Sequence, residues 1–272
     1  MNKLLVICGP TATGKTALAA TLAKKFNGEL LSADSRQVYR GMDICTGKDR
    51  PDVPIWLYDV VNPDEEFRVS QCVKLARVAI FDIQKRNKLP IVVGGTGLYI
   101  KALINPFDTI DVPPNMRLRK KLQTMSVREL QTVTVRGNMN QSDWNNPRRL
   151  IRKIEIASSP KTGLRGESLK AFDYLMIGLT APLPILYRRI DKRFAGRMRA
   201  GLAGETASLL ARFRRDLPSM SAIGLNEHAY ARRQLTWFKK QKGIHWFDVT
   251  DRQMSNKVAA LVGAWYTTDN HV

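Results

Sequence analysis

Five consecutive apolar residues, Leu4 to Cys8, run directly into Gly9-Pro10-Thr11-Ala12-Thr13-Gly14-Lys15-Thr16, which fits G-x-x-x-x-G-K-[ST] at every fixed position. No other stretch restricts the fold as much. A short unbroken apolar run bounded by glycine reads as a buried strand, and Ala17 to Phe26 continues at helical spacing. The order is therefore strand, loop, helix, as a phosphate-binding loop requires. The glycines let successive backbone N–H groups converge on phosphate oxygens, while the helix presents the positive end of its dipole. Lys15 adds a point charge, and the Thr16 hydroxyl can reach a magnesium ion. The motif leaves open which phosphate compound is held and whether a phosphoryl group is transferred.

Strand and helix patterns alternate beyond the loop. Glu29 to Asp34, Pro54 to Val61, Leu89 to Val93, Asp173 to Thr180 and Gly243 to Val249 read as strands. Val69 to Lys85, the segment after Pro182 and Pro184, and Ser255 to Tyr266 read as helices. This predicts an α/β protein, a P-loop NTPase-like parallel sheet flanked by helices. The alternation stops from Asp111 to Asn145, a basic and polar stretch that reads as a small, mostly helical inserted lobe. The predicted organisation is a core over residues 1–110, the lobe over 111–145, and the rest of the core over 146–272.

Asp34 closes the second predicted strand, where the loops of an open parallel sheet surround a ligand. A helix cap at Asp34 or Ser35 is the alternative. The fourth strand ends in Gly94-Gly95-Thr96, where a P-loop ATPase ordinarily carries a metal-holding aspartate, so Asp34 or Asp59 is left for that role. This counts against a motor or switch NTPase. Arg189, Arg193 and Arg197 recur every four residues and share one helix face, able to reach over a phosphate-filled cleft or to stay solvated.

The charge points to a second, larger partner. Lys and Arg total 44 against 24 Asp and Glu in 272 residues, a net of +20, which favours a polyanion, and nucleic acid over an acidic membrane surface. The helix from Pro147 places Arg148, Arg149, Arg152 and Lys153 on a broad face and turns Leu150, Ile151 and Ile154 toward a core. Arg232 to Lys240 interleaves cations with Trp237 and Phe238, suited to stacking on single-stranded nucleic acid or to anchoring the core. Cys8, Cys45 and Cys72 are scattered without metal-ligand spacing, which suggests a reducing compartment and no zinc site. With no membrane segment evident, a cytoplasmic protein is expected.

Together these motifs resemble the tRNA dimethylallyltransferases, the isopentenyl transferases that modify adenosine beside the anticodon. The resemblance rests on the phosphate loop, on Ser32-Ala-Asp-Ser-Arg-Gln-Val-Tyr-Arg-Gly-Met-Asp43, on Gly94-Gly-Thr-Gly-Leu-Tyr99, on Asn146-Pro-Arg-Arg-Leu-Ile-Arg152, and on Arg233-Gln-Leu-Thr-Trp-Phe238. The chain departs from the family pattern at Cys45, at Pro54-Ile-Trp-Leu-Tyr-Asp59, at Ala222 to Glu227, and in its short lobe. The resemblance implies that Gly9 to Thr16 holds the pyrophosphate of dimethylallyl diphosphate with Mg2+ on Thr16, rather than an ATP that is consumed. It implies Asp34 as general base toward N6 of a flipped adenosine, and Lys15, Thr16 and Arg193 as stabilisers of the leaving diphosphate. Asp34, Ser35, Arg36, Gln37 and Thr96 would touch the target nucleotide, and Arg148, Arg149, Leu150, Ile151 and Arg152 the tRNA. The expected protein is a monomer that engages the anticodon stem-loop. A small-molecule or nucleotide kinase is the alternative, and a non-catalytic RNA-binding protein a third.

Overall fold

The computed structural model describes residues 2–106, 109–110, 112–159, 172–223 and 226–268. The chain forms two compact units, Met1–Asn105 with Ala171–Val272, and Pro106–Lys170.

The larger unit is built on β1 (Lys3–Cys8), every residue of which is buried. It is followed by α1 (Lys15–Lys25), β2 (Gly28–Ser32) and β3 (Ile55–Trp56), then α2 (Val69–Lys85), β4 (Leu89–Gly94) and α3 (Gly97–Ile104). After the smaller unit come β5 (Asp173–Thr180), three further helices, β6 (Ile244–Asp248) and a closing helix. Among the described residues the strands form a six-stranded sheet in the order β3-β2-β4-β1-β5-β6, and all pairs are parallel. β1 lies between β4 and β5, with Leu5 opposite both Ile91 and Leu175. An unbroken apolar strand suits this place, since a parallel sheet is covered on both faces. Alternate side chains divide accordingly. Leu5, Ile7, Leu30, Ile91, Val93, Ile177 and Leu179 join Leu18 and Leu22 of α1 in one core cluster. On the other face Leu31 and Val92 meet Cys72, Val73 and Ala76 of α2.

The third strand is shorter than its sequence suggests. Of Pro54 to Val61 only Ile55–Trp56 forms a strand, with Val61 in an isolated bridge to Tyr39, because Leu57 and Asp59 take left-handed φ values of 69° and 57°. Such φ values turn a chain out of an extended ladder.

The smaller unit contains α4 (Met116–Leu122), α5 (Val127–Thr132), α6 (Gln141–Trp144) and α7 (Pro147–Ser158). Leu122, Leu130, Leu150 and Ile151 are its buried centre. The boundary predicted at 145 therefore moves: α7, assigned above to the core, supplies half of that centre and belongs with the lobe. The predicted lobe start, Asp111, lies outside the described residues.

The helices that return to the larger unit are α8 (Leu183–Arg199), α9 (Leu202–Arg212) and α10 (Glu227–Lys239), with a 3-10 turn at Pro218–Ala222 and a closing α11 (Met254–Thr267). Val258 and Val262 of α11 complete the core. No helix among the described residues is long and apolar enough to cross a membrane.

Candidate active site

The phosphate loop leaves β1 through Gly9, whose φ of 136° is open to glycine and whose missing side chain lets Leu179 approach, since a Cβ there would stand 2.3 Å from the Leu179 carbonyl oxygen. The loop is held from inside. Pro10 O accepts bonds from Thr13 Oγ1 at 2.9 Å and Lys15 Nζ at 2.6 Å. From outside, Gln234 of α10 accepts from Thr11 N–H at 2.8 Å and donates to Gly95 O at 3.0 Å.

Thr11, Ala12, Gly14, Lys15 and Thr16 line a cavity of about 970 Å³, and Asp34, Arg36, Gln37 and Arg193 line it too. A volume of this order suits a small phosphorylated ligand. Arg193 Nη2 donates to Thr11 Oγ1 at 2.8 Å and to Glu227 Oε2 at 3.0 Å, and Arg197, one turn on, also pairs with Glu227. The Nε–H groups of both arginines are buried without an acceptor among the described residues. A buried donor without a partner is costly. Burial, reinforced by Arg193, lowers the Lys15 pKa to about 8.

Asp34 follows β2 by two residues, and its Oδ1 accepts from Arg36 N–H at 2.9 Å in a local turn, not at a helix cap. Ser35 N–H donates to Thr96 Oγ1 at 3.1 Å, which ties this turn to the Gly-Gly-Thr segment. Gln37 is occupied at both ends, accepting from Ser32 Oγ at 2.9 Å and donating to Gly47 O at 3.2 Å. These contacts make the Asp34 to Gln37 turn rigid.

The continuation of the turn is clamped by two cationic side chains, Lys48 and Arg50. Lys48 Nζ reaches Tyr39 O at 2.7 Å, Asp43 Oδ1 at 2.7 Å and Asp59 Oδ1 at 2.6 Å. Arg50 adds a bond to Asp59 Oδ2 at 3.3 Å, so Asp59 is committed to holding this loop and is not the free carboxylate considered above for a metal. Glu205 of α9 accepts from the N–H groups of Asp43, Ile44 and Cys45 at 3.1, 2.8 and 2.8 Å.

Sequence reasoning passed over Asp49, Glu227 and Tyr230, which also line the cavity. Burial first, and then the charge of Asp34, pushes the Tyr230 phenol up to about 12, leaving a neutral hydroxyl in the wall. Tyr58 is shifted upward as well, by burial and then by Asp49 and Asp34. A signal for Glu227 exists in the spacing of Arg193 and Arg197, since two arginines one turn apart need a counter-ion. Its position 30 residues beyond Arg197 could not be read locally.

The smaller unit corrects part of the predicted RNA surface. Leu150 and Ile151 are buried in the lobe centre, so their side chains face its interior and not its surface. Arg152 Nη2 is spent on Thr109 O at 3.3 Å and Val112 O at 2.8 Å, and Lys153 on Arg136 O at 3.0 Å. Arg149 is exposed but pairs with Asp143, and Arg148 is exposed. Phe238 is fully buried, and the Trp237 ring lies where a Cβ on Gly97 would be 2.2 Å away, so this aromatic pair serves packing. Of the Ala222 to Glu227 segment, residues 224 and 225 lie outside those described.

Comparison with known proteins adds an independent line. A family model described as IPP transferase matches residues 37–229, and one described as isopentenyl transferase matches residues 2–53. A tRNA dimethylallyltransferase of Geobacillus thermodenitrificans is 38% identical over 289 aligned residues, covering 92% of this chain and 91% of its own. One of a Roseiflexus species is 37% identical, with 97% and 99% covered. The crystal structure of a tRNA isopentenylpyrophosphate transferase from Bacillus halodurans superposes with a TM-score of 0.72 at 34% identity, covering 100% of both chains. A eukaryotic dimethylallyltransferase described as acting on tRNA shares the fold, with a TM-score of 0.81 at 24% identity over 98% of this chain and 80% of its own.

Proposed function

The chain belongs to the IPP transferase family, and on that premise we propose that it is a tRNA prenyltransferase, moving a dimethylallyl group from dimethylallyl diphosphate to N6 of the adenosine beside the anticodon, position 37. The observation that carries this reading is a carboxylate, Asp34, in the wall of the same cavity as the phosphate loop and Arg193. Phosphoryl transfer would use the loop and the arginine, but the excess of basic residues answers to a polyanionic acceptor.

In the proposed reaction the N6 nitrogen attacks C1 of the donor, the C1–O bond breaks with its electron pair leaving on diphosphate, and the N6 proton passes to Asp34. The N6 lone pair is delocalised into the purine, so a base that removes the proton as the C–N bond forms restores its nucleophilicity. Lys15, Arg193 and the loop N–H groups meet the charge that grows on the diphosphate. Because N6 lies inside a stacked base, the adenosine is expected to flip into the cavity.

Mg2+ fits the donors present. The Thr16 hydroxyl lines the cavity with the carboxylates of Asp34 and Asp49, and this ion keeps waters and takes phosphate oxygens readily. Bound there, it would neutralise charge on the diphosphate, with Thr16 as its ligand from the loop. The proposed protein acts as a cytoplasmic monomer.

Unmodified tRNA incubated with labelled dimethylallyl diphosphate or with γ-labelled ATP separates the readings. Label is expected in tRNA from the prenyl donor, mapped to one adenosine beside the anticodon. Phosphate transfer from ATP without prenylation would establish the kinase alternative.

A further inference from the structure

Glu227 stands at the first turn of α10, with its side chain 13% exposed, and takes a charged hydrogen bond from each of the two arginines that α8 directs at the cavity. The same helix face, seven residues on, carries Gln234, which accepts the Thr11 N–H of the phosphate loop. Arg193 already divides Nη2 between Thr11 and Glu227, at 2.8 and 3.0 Å. An arriving diphosphate can take the two Nη2 groups that Glu227 holds only by displacing that carboxylate from them. Its negative charge is also repelled by the Glu227 carboxylate at short range and in poor solvent access, where charges are weakly screened.

Resting on the reading of this cavity as a diphosphate site, we propose that Glu227 is an internal competitor for diphosphate: its carboxylate holds Arg193 and Arg197 in place and limits how tightly the product is retained. Every turnover of a prenyl transfer leaves diphosphate between Lys15, Arg193 and Arg197, three cations that would otherwise bind it strongly. A carboxylate returning to the two arginines lowers the free energy of the released state and so favours release. Glu227 is a positioning residue, since it acts on the ligand through the two guanidinium groups.

Binding of inorganic pyrophosphate with Mg2+ to the full chain, followed by calorimetry, tests the inference without requiring prenyl chemistry. Glu227→Gln keeps the size and hydrogen-bonding capacity but removes the charge, and is expected to bind pyrophosphate at least about tenfold more tightly than the parent, equivalent to about 1.4 kcal/mol. Loss of a merely structural contact would weaken binding instead. Glu227→Asp withdraws the charge from both arginines and is expected to give a smaller gain in the same direction, which keeps the test decisive if the Gln variant does not fold. Unchanged or weaker binding in a folded variant overturns the inference while leaving the diphosphate site intact. A parent protein that does not bind pyrophosphate overturns both.

Discussion

Asp34 and Lys15 share one cavity but act on different partners, so their variants separate. Asp34→Asn preserves the turn, because the amide oxygen can still accept the Arg36 N–H, but it cannot accept the N6 proton. The expected result is a fall in single-turnover prenylation on the order of 100 to 10,000-fold with pyrophosphate affinity retained. A variant that turned over at the parent rate would transfer the base role to another group, and Asp49 in the same wall would be the next to change. Lys15 makes a pH prediction. Its pKa is lowered to about 8, chiefly by burial, and the protonated ammonium is the form that attracts diphosphate. Donor affinity is therefore fully present below that value and declines as pH rises through about 8 and the proton is lost. Comparing donor KM from pH 6.5 to 9.5 in the parent and in Lys15→Met checks it, since ionisation of the ligand itself persists in both and only the lysine inflection disappears.

At the scale of elements, α10 joins parts of the site that are remote in sequence. Its Gln234 bonds Thr11, 223 residues away, and Gly95, 139 residues away. Gln234→Ala leaves the half-buried Thr11 N–H and the buried Gly95 carbonyl without their partner, at a cost of about 1–3 kcal/mol for the buried carbonyl. The expected outcome is a lower thermal midpoint together with a raised donor KM, because the same loss loosens the loop that holds phosphate. Destabilisation without a change in KM would show that the loop keeps its shape unaided. The sequence disclosed that the Arg233 to Phe238 stretch matters but not how, because periodicity reports which face of a helix is apolar and says nothing of what a polar side chain meets across the fold. The same limit hid Glu227 and Glu205. Local patterns did place the buried strands and α2, where apolar runs and helical spacing are unambiguous, and the phosphate loop, where one contiguous motif encodes both conformation and chemistry. They misjudged Pro54 to Val61, since the left-handed turns at Leu57 and Asp59 use residues that do not announce them; Lys48 and Arg50 instead anchor Asp59 through ion pairs.

At the scale of the whole molecule, the net charge of +20 measures attraction to a polyanion but does not say which cations meet it. The lobe sharpens that choice. Periodicity correctly turned Leu150 and Ile151 inward, yet it could not show that Arg152 and Lys153 are spent on backbone carbonyls of their own unit. Nor could composition mark α7 as part of the lobe, because its membership is decided by packing against Leu122 and Leu130, and not by a change of residue type at position 145. Exposed Arg148 and Arg149, the latter shared with Asp143, remain for phosphate contact. Each phosphate neutralised releases condensed counterions, so tRNA binding should weaken linearly in a plot of log affinity against log salt. Arg148→Ala with Arg149→Ala is expected to weaken binding and to reduce the slope by about 1 to 2, while the lobe stays folded. Arg152→Ala is expected to differ in kind: it strips the Thr109 and Val112 carbonyls of their donor and lowers the stability of the lobe. Filter binding over a salt series, with circular dichroism on each variant, distinguishes the two. An unchanged slope in the folded double variant would remove the exposed end of α7 from the tRNA surface and direct the search to the other basic faces.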